Sequence, residues 1–489
     1  MSGRYQKLES KKAATTNTLI PFIAGLIIIA VVIVVPIVAV PRQDTVPLPS
    51  LLAFEAPPGT GNEWQQRVCN ACNNSWDFGT DERLVSNEIF AQNASIPDPR
   101  SLSSMVPFWG QVIDHDIVRS QSNASDGSFS IPMTPIESIL LNTTRNAHRK
   151  VNGCRETVTE ITPTIDASFL YGGFGQNALL AELRADSGTA CRLRTSAGNL
   201  LPLHPTDPTS FLSGDVRNTE HSVLASFHTL FMREHNRLCS VLDTLRPSWT
   251  EEQKFWKARQ VVVAKVQHIT YAEWIPTFFG QEAHLLSSVS TQGTGVRMGM
   301  EFSVAAYRAG HSMIPDSVGD FMLPQLFFNR SLVIEHGIEP FLSGAYQQNA
   351  ERMDKYVVDG LRNFLFMAPG MQMGEDLVTR NLFRNRELGM LSYTEIASCF
   401  GFTTQNNEQE AFIGLLSEEL ASQSSLPPGI ARIMAEQFKR LRDNDPKFYL
   451  SNIHEIGAHF IAEITATSMA TIIRANTELE NVPDNVFVV

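Results

Sequence analysis

The chain has 489 residues, of which 43% are hydrophobic, and a net charge of −12. That length holds one large domain or two or three ordinary ones, and the apolar fraction suits a globular protein with a sizeable core. No basic cluster occurs beyond the first dozen residues, which excludes nucleic acid as the partner.

The first element is Leu19 to Val40, a run without a charged residue and rich in Ile and Val. About 20 such residues, rising about 1.5 Å each in a helix, span a bilayer core. Arg4, Lys7, Lys11 and Lys12 precede it against one Glu9, and Arg42 and Asp44 follow. This bias holds the N-terminal end in the cytoplasm and sends the rest to the lumen or outside. The expectation is a cytoplasmic tail (1–18) and a transmembrane signal anchor (19–40), giving a single-pass type II membrane protein. Ala39 offers a cleavage point, so a signal peptide and a secreted domain are the alternative. Residues 41–62 (PRQDTVPLPSLLAFEAPPGTGN) are Pro-rich and aperiodic, and read as a linker.

Two features agree with export. Asn73, Asn93, Asn123, Asn142 and Asn329 each open an N-x-[ST] sequon. Cys69, Cys72, Cys154, Cys191, Cys239 and Cys399 are even in number, as disulfides require, with their pairing open. Cys69 and Cys72 form a lone CxxC, and no metal is read there.

From 63 to 489 no second linker, repeat or low-complexity tract appears, and the texture is helical. Leu224, Phe227, Phe231 and Leu238 fall at helix spacing, as do Ile430, Met434, Phe438 and Leu441. The latter run ends at Asp443-Asn444-Asp445-Pro446, where turn formers and a proline break it. Strand signals are few and short. The expected fold is mostly α, a single large helical domain preceded by one transmembrane helix.

Three segments carry chemistry. In Phe108-Trp109-Gly110-Gln111-Val112-Ile113-Asp114-His115-Asp116, helical geometry puts Gln111, Asp114 and His115 on one face. Alone, that pattern equally describes a buried histidine flanked by solvated acids. Ser213-Gly214-Asp215-Val216-Arg217-Asn218-Thr219-Glu220 sets Arg217 three residues from Glu220, which a surface ion pair would also explain. In Tyr307-Arg308-Ala309-Gly310-His311-Ser312-Met313-Ile314, Gly310 lets a flat ligand approach the backbone beside His311.

Together these segments resemble the animal haem peroxidase family, within the peroxidase–cyclooxygenase superfamily. GQVIDHD is similar to its distal-histidine motif, GDVRNTE to its arginine motif and YRAGHSMI to its proximal-histidine motif. TIDASFLYG from Thr164, ITYAEWIPTFFG from Ile269, DLVTRNLFRNRELG from Asp376 and FKRLRDNDPKFYL from Phe438 follow in the family's order, so the resemblance covers residues 64–455. It implies a haem b whose iron is bound by His311. It implies His115 as general base toward hydrogen peroxide and Arg217 as the stabiliser of developing charge. Gln111 matches the residue that holds distal water or halide. Asp114 and Glu220 match carboxylates that form ester links to haem. Asp116, with Thr162, Thr164, Asp166 and Ser168 of TPTIDAS, matches a calcium site, and alternate residues of an extended loop suit a hard cation. A small-molecule electron donor completes the implied reaction.

Three departures stand out. Thr394, in SYTEI, aligns with the asparagine that holds the proximal imidazole. Leu388 replaces a histidine in RNRELG. His221 stands where some members have the methionine of a third haem link. A fatty-acid oxygenase of the same superfamily is the alternative activity. Its radical tyrosine sits three residues before the proximal histidine, whereas Tyr307 sits four before, a shift of about 100° on an α-helix. A catalytically inactive adhesion domain is the other alternative, to be signalled by loss of His115, Arg217 or His311; all three are present.

Overall fold

Helical periodicity accounts for most of the architecture of this computed structural model, which describes residues 64–489 apart from 135, 174, 292–294 and 368–370. The expected tail (1–18), membrane segment (19–40) and linker (41–62) lie outside the described residues. Among the described residues, no helix is long and apolar enough to cross a membrane.

Helix α1 (Met105–Ile117) buries Phe108, Trp109, Val112 and Ile113 and turns Gln111 and Asp114 away from them. Strands β1 (Ser128–Met133) and β2 (Ile136–Thr144) form one antiparallel hairpin, and β3 (His148–Val151) and β4 (Cys154–Thr157) a second. Helix α2 (Ser222–Leu245) starts at the imidazole of His221, whose Nδ1 accepts the Leu224 N–H. It buries Leu224, Phe227, Phe231 and Leu238, the four positions that predicted it. Helix α3 (Glu251–His268) begins with a Thr250/Gln253 capping box. Helix α4 (Leu377–Glu387) is capped by Asp376, and α5 (Pro428–Asn444) starts on a proline and stops before Asp445-Pro446, as expected.

The main core is a large cluster of side chains drawn from these helices, and a smaller one (Ile131, Met133, Leu141, Met373, Phe383) packs the first hairpin against α4. Trp109 of α1 lies 5.8 Å and 5.5 Å from the rings of Phe227 and Phe231 on α2. Phe438 of α5 meets the rings of Trp274, Phe302 and Tyr307. Truncating a buried Trp or Phe in such a core costs about 3–5 kcal/mol. These contacts fix α1 from behind, so its polar face is presented in one orientation.

All six cysteines are paired: Cys69–Cys399, Cys72–Cys154 and Cys191–Cys239. The CxxC cysteines thus go to different partners. Cys69 ties the start of the described chain to a residue 330 positions away. Closing a loop that long removes much unfolded-state entropy, and a native disulfide contributes about 2–5 kcal/mol. Three disulfides fit an oxidising compartment.

Candidate active site

A cavity of about 240 Å³ opens against the polar face of α1. Gln111, Asp114, His115, Arg217, Glu220 and His311, which the sequence had spread over 200 residues, all line it. His115 is 3% exposed. Burial, then the positive charge of Arg217, holds its imidazole well below the ordinary histidine range, so it is a neutral base at neutral pH. Its Nε2 lies 3.6 Å from Glu220 Oε2, and Gln111 Nε2 donates to that same oxygen at 3.1 Å. Burial pushes the Glu220 carboxyl up to about 7, against the pull of Arg217. Asp114 is also raised by burial, with Arg308 and Arg217 opposing.

Arg217 is not in a surface pair. It comes from a turn rather than a helix and is clamped by Asp215, whose Oδ1 accepts from Nε at 2.9 Å and Oδ2 from Nη2 at 2.7 Å. Burial opposes its charge, and Asp215 more than offsets that. Nη2 also donates to the carbonyls of His115 and Val118, and Nη1 lies 3.8 Å from Asp114 Oδ2. The guanidinium is therefore fixed, charged and tied to the end of α1. The turn is pressed onto Ser168–Tyr171: the N–H groups of Gly214 and Asp215 donate to the carbonyls of Leu170 and Phe169. A Cβ at Gly214 would stand 2.2 Å from Gly172 N and Ser168 O, so only glycine fits.

More of the wall comes from Tyr307–Met313, where a π-helical turn (Glu301–Ala305) has given way to a 3-10 helix (Ala306–Met313). Burial, then Arg308, pushes His311 down to about 3, so its ring is neutral. The side-chain amide of Asn381, on α4, lies 2.9 Å from His311 Nδ1, which leaves Nε2 as the ring nitrogen for the cavity. Thr394 is not the partner of His311, contrary to expectation. It is exposed in the first turn of Tyr393–Phe400, with its hydroxyl near Ser392. Leu388 is core, 1% exposed, and its carbonyl accepts from Arg67. Tyr307 also departs from expectation: the 3-10 winding turns residues by about 120° each, and both Tyr307 and Arg308 line the cavity. The Tyr307 hydroxyl donates to the Gly110 carbonyl at 2.9 Å.

The residues expected for calcium gather beside α1. Asp116 Oδ1 accepts from Phe169 N–H and Ser168 Oγ, and its Oδ2 accepts from Ala167 N–H. Asp166 accepts from Thr162 Oγ1 and Ser168 N–H. Thr164 is buried in the same loop. Burial, then repulsion from Asp166, raises Asp116 well above the usual carboxylate range. Asp166 is raised by burial too, against the pull of Arg259, so this pair is a place where a cation would relieve the repulsion.

The cavity suits a haem. His311 offers a neutral nitrogen, and a Cβ built on Gly310 would meet nothing within 4 Å, so the space beside that histidine is open. Val106, Phe108, Leu323, Phe327, Leu365 and Leu377 supply apolar lining, and Arg308 and Arg380, the latter paired with Glu375, add positive charge to it. Sequence reasoning missed Arg380, Asp215 and Asn381. Two asparagines, Asn381 and Asn385, both buried in one helix, were the available signal, since asparagine is a poor helix former kept for what its amide bonds.

The family model described as animal haem peroxidase matches residues 73–411 and 405–487. Peroxinectin A of Dictyostelium discoideum is 28% identical over 443 residues, covering 75% of this chain and 80% of that protein. Human myeloperoxidase is 29% identical, covering 82% of this chain and 66% of its own. The human peroxidasin homolog is 26% identical, and the match spans only 33% of its length. Among solved structures, peroxidase A of Dictyostelium discoideum superposes with a TM-score of 0.73 at 24% identity, over 88% of this chain and 96% of that one. A fatty acid alpha-dioxygenase of Arabidopsis thaliana reaches 0.71 at 16% identity, over 88% and 83%, a likeness of fold alone. On the extent of the family match, this chain belongs to the animal haem peroxidases.

Proposed function

We propose that the domain is a haem-dependent peroxidase that reduces hydrogen peroxide and oxidises small donors such as halide, thiocyanate or phenols. The observation that carries this reading is the convergence of His115 and His311, from separate elements, on one cavity that also holds Arg217. Bound there, haem supplies the redox-active iron and the electrons that peroxide takes up. His311 Nε2 is the nitrogen that would hold it. His115 Nε2, neutral because it is buried, takes a proton from one peroxide oxygen and returns it to the other as that oxygen departs. Arg217, fixed by Asp215, opposes the negative charge that builds on the departing oxygen, and being preorganised it need not move to do so. Asp114 and Glu220, both on the cavity wall, are the carboxylates for ester links. A calcium ion held by Asp116, Thr162, Thr164, Asp166 and Ser168 would lock the end of α1 and so the position of His115.

The test is direct. Full-length protein supplied with haem should show a Soret band and peroxide-dependent dye oxidation; protein that takes up no haem overturns the reading.

The oxygenase alternative is favoured by one observation, that Tyr307 lines the cavity. Against it, the phenol hydroxyl is committed to a backbone carbonyl, which is a poor proton acceptor. Oxygen uptake with a fatty acid, lost in Tyr307→Phe, would decide for it.

We also propose that the domain is lumenal or extracellular behind a segment 19–40 that acts as anchor or cleaved signal. Three disulfides and five sequons support this. Electrophoretic mobility insensitive to glycosidase, in protein from its native cells, would count against it.

A further inference from the structure

His221 sits at the cavity wall with both ring nitrogens engaged. It is 5% exposed, and its ring packs 5.1 Å from that of Phe108. As the N-cap of α2, it uses Nδ1 to accept the Leu224 N–H at 3.1 Å. Ser, Thr, Asp or Asn usually fill that position, each through an oxygen. An imidazole that caps must leave Nδ1 without a proton, so the single proton of the neutral ring lies on Nε2.

That nitrogen lies 2.7 Å from Gln111 Oε1. With Nε2 carrying the proton, His221 donates and Gln111 Oε1 accepts. An amide whose oxygen is held this way can only turn its nitrogen the other way, and Gln111 Nε2 donates to Glu220 Oε2. The same carboxylate oxygen is the one nearest His115 Nε2. The hydrogen bonds from Leu224 through His221 and Gln111 to Glu220 share one polarity, dictated from the Leu224 backbone outward.

We propose that His221 is a positioning residue: by coupling the α2 cap to the Gln111 amide, it fixes which end of that amide faces the distal cavity and Glu220. Without the Nε2 donor, Gln111 is free to present its oxygen instead, and an acceptor would then face a carboxylate and any anion in the cavity. This assignment rests on the peroxidase reading for its consequence, not for its geometry.

Two substitutions separate the cap from the donor. His221→Asn keeps an oxygen for the Leu224 N–H but is too short to reach Gln111. His221→Gln places an amide nitrogen near the position of Nε2 and loses the ring cap. The first readout needs no haem: spectra of the haem-free protein carrying 15N-histidine should show His221 as the neutral Nε2–H form at neutral pH. A protonated Nδ1 or an imidazolium would overturn the proposal. The second uses fluoride, which binds ferric haem and accepts hydrogen bonds from distal donors. His221→Asn should weaken fluoride about tenfold or more, the worth of one hydrogen bond to a charged acceptor. Its melting temperature should stay near the parent value. His221→Gln should bind fluoride nearly as the parent does, even where it melts earlier. Parent-like fluoride binding in His221→Asn, or equal losses in both variants, would overturn the assignment. Protein that takes up no haem at all would overturn the peroxidase reading, and the tautomer would still decide the role of His221.

Discussion

Asn381 and His311 meet across 70 residues of sequence, with the Asn381 amide nitrogen 2.9 Å from His311 Nδ1. In that arrangement the amide donates and the ring proton lies on Nε2. For Nε2 to offer its lone pair to a metal, the proton must sit on Nδ1 and the amide must present Oδ1 instead. The pair therefore makes Asn381 the lever on the donor strength of His311.

Asn381→Asp should make the proximal imidazole a stronger electron donor and lower the reduction potential of the haem-loaded protein. Asn381→Leu should raise it, each by roughly 60 mV, a tenfold change in a one-electron equilibrium. Thr394→Ala, on an exposed side chain, should leave it unchanged. A spectroelectrochemical titration checks all three, and a response to Thr394→Ala alone would restore the sequence alignment.

The contrast between Thr394 and Asn381 marks what a sequence can carry. The helices at 222–245 and 428–444 were legible because burial imposes a 3.6-residue period on their apolar side chains. The one-faced placement of Gln111, Asp114 and His115 was legible for the same reason. Three things were not. Asn381 lies in a segment whose register relative to His311 depends on how α4 packs against residues 301–305, where the Asn385 amide donates to the Val304 carbonyl. Tyr307 sits in a 3-10 stretch after a π turn, and no periodicity announces that change of winding. The pairing of the cysteines likewise depended on tertiary contacts alone.

His115→Ala should still take up haem but should slow the reaction with peroxide by about 10²–10⁴-fold, the usual worth of general acid–base help. Because burial and Arg217 keep the imidazole neutral, the parent rate should hold as pH falls below 6.5 and decline only well below it. Stopped-flow absorbance over a pH series is the measurement. A mutant as fast as the parent would remove His115 from the mechanism.

Gly214→Ala should lower both stability and activity. The added carbon would stand 2.2 Å from backbone atoms of Gly172 and Ser168, and backbone cannot step aside as a flexible side chain can. Overpacking of this kind costs about 1–3 kcal/mol or more. The arginine turn would be displaced from Ser168–Tyr171, taking Arg217 with it. Melting temperature and the rate of peroxide reaction should fall together; a parent-like rate would show that Arg217 holds its place without this contact.

Chelation should lower the melting temperature and the activity of the native protein, if calcium sits between Asp116 and Asp166. Asp116→Ala should do the same and also make the protein indifferent to chelator. The mutation alone leaves the N–H groups of Ala167 and Phe169 without their acceptor, at about 1–3 kcal/mol each, so loss of stability by itself does not report the ion. The insensitivity to chelator does. Elemental analysis finding no calcium in active protein would end the idea.

Chloride should be a poor donor for this protein. A sulfonium link to a haem vinyl group requires the thioether sulfur of methionine, and by the family resemblance that position falls on His221, whose two nitrogens are engaged by Leu224 N–H and Gln111 Oε1. Burial, then repulsion from His228, takes its imidazole down to about 3, so it adds no positive charge to the cavity at working pH. A haem held here would carry at most the two ester links through Asp114 and Glu220 and would lack the electron-withdrawing third link. Its potential would then be lower, since electronic tuning of the macrocycle is one of the protein's levers on it. Iodide, thiocyanate and phenols, which give up electrons more readily, should turn over faster than chloride. Mass spectrometry of haem-bearing peptides after peroxide treatment, with a donor panel at neutral pH, tests both halves. A third crosslink or efficient chloride turnover would sink the prediction, and haem that acidified solvent extracts freely would remove the ester links as well.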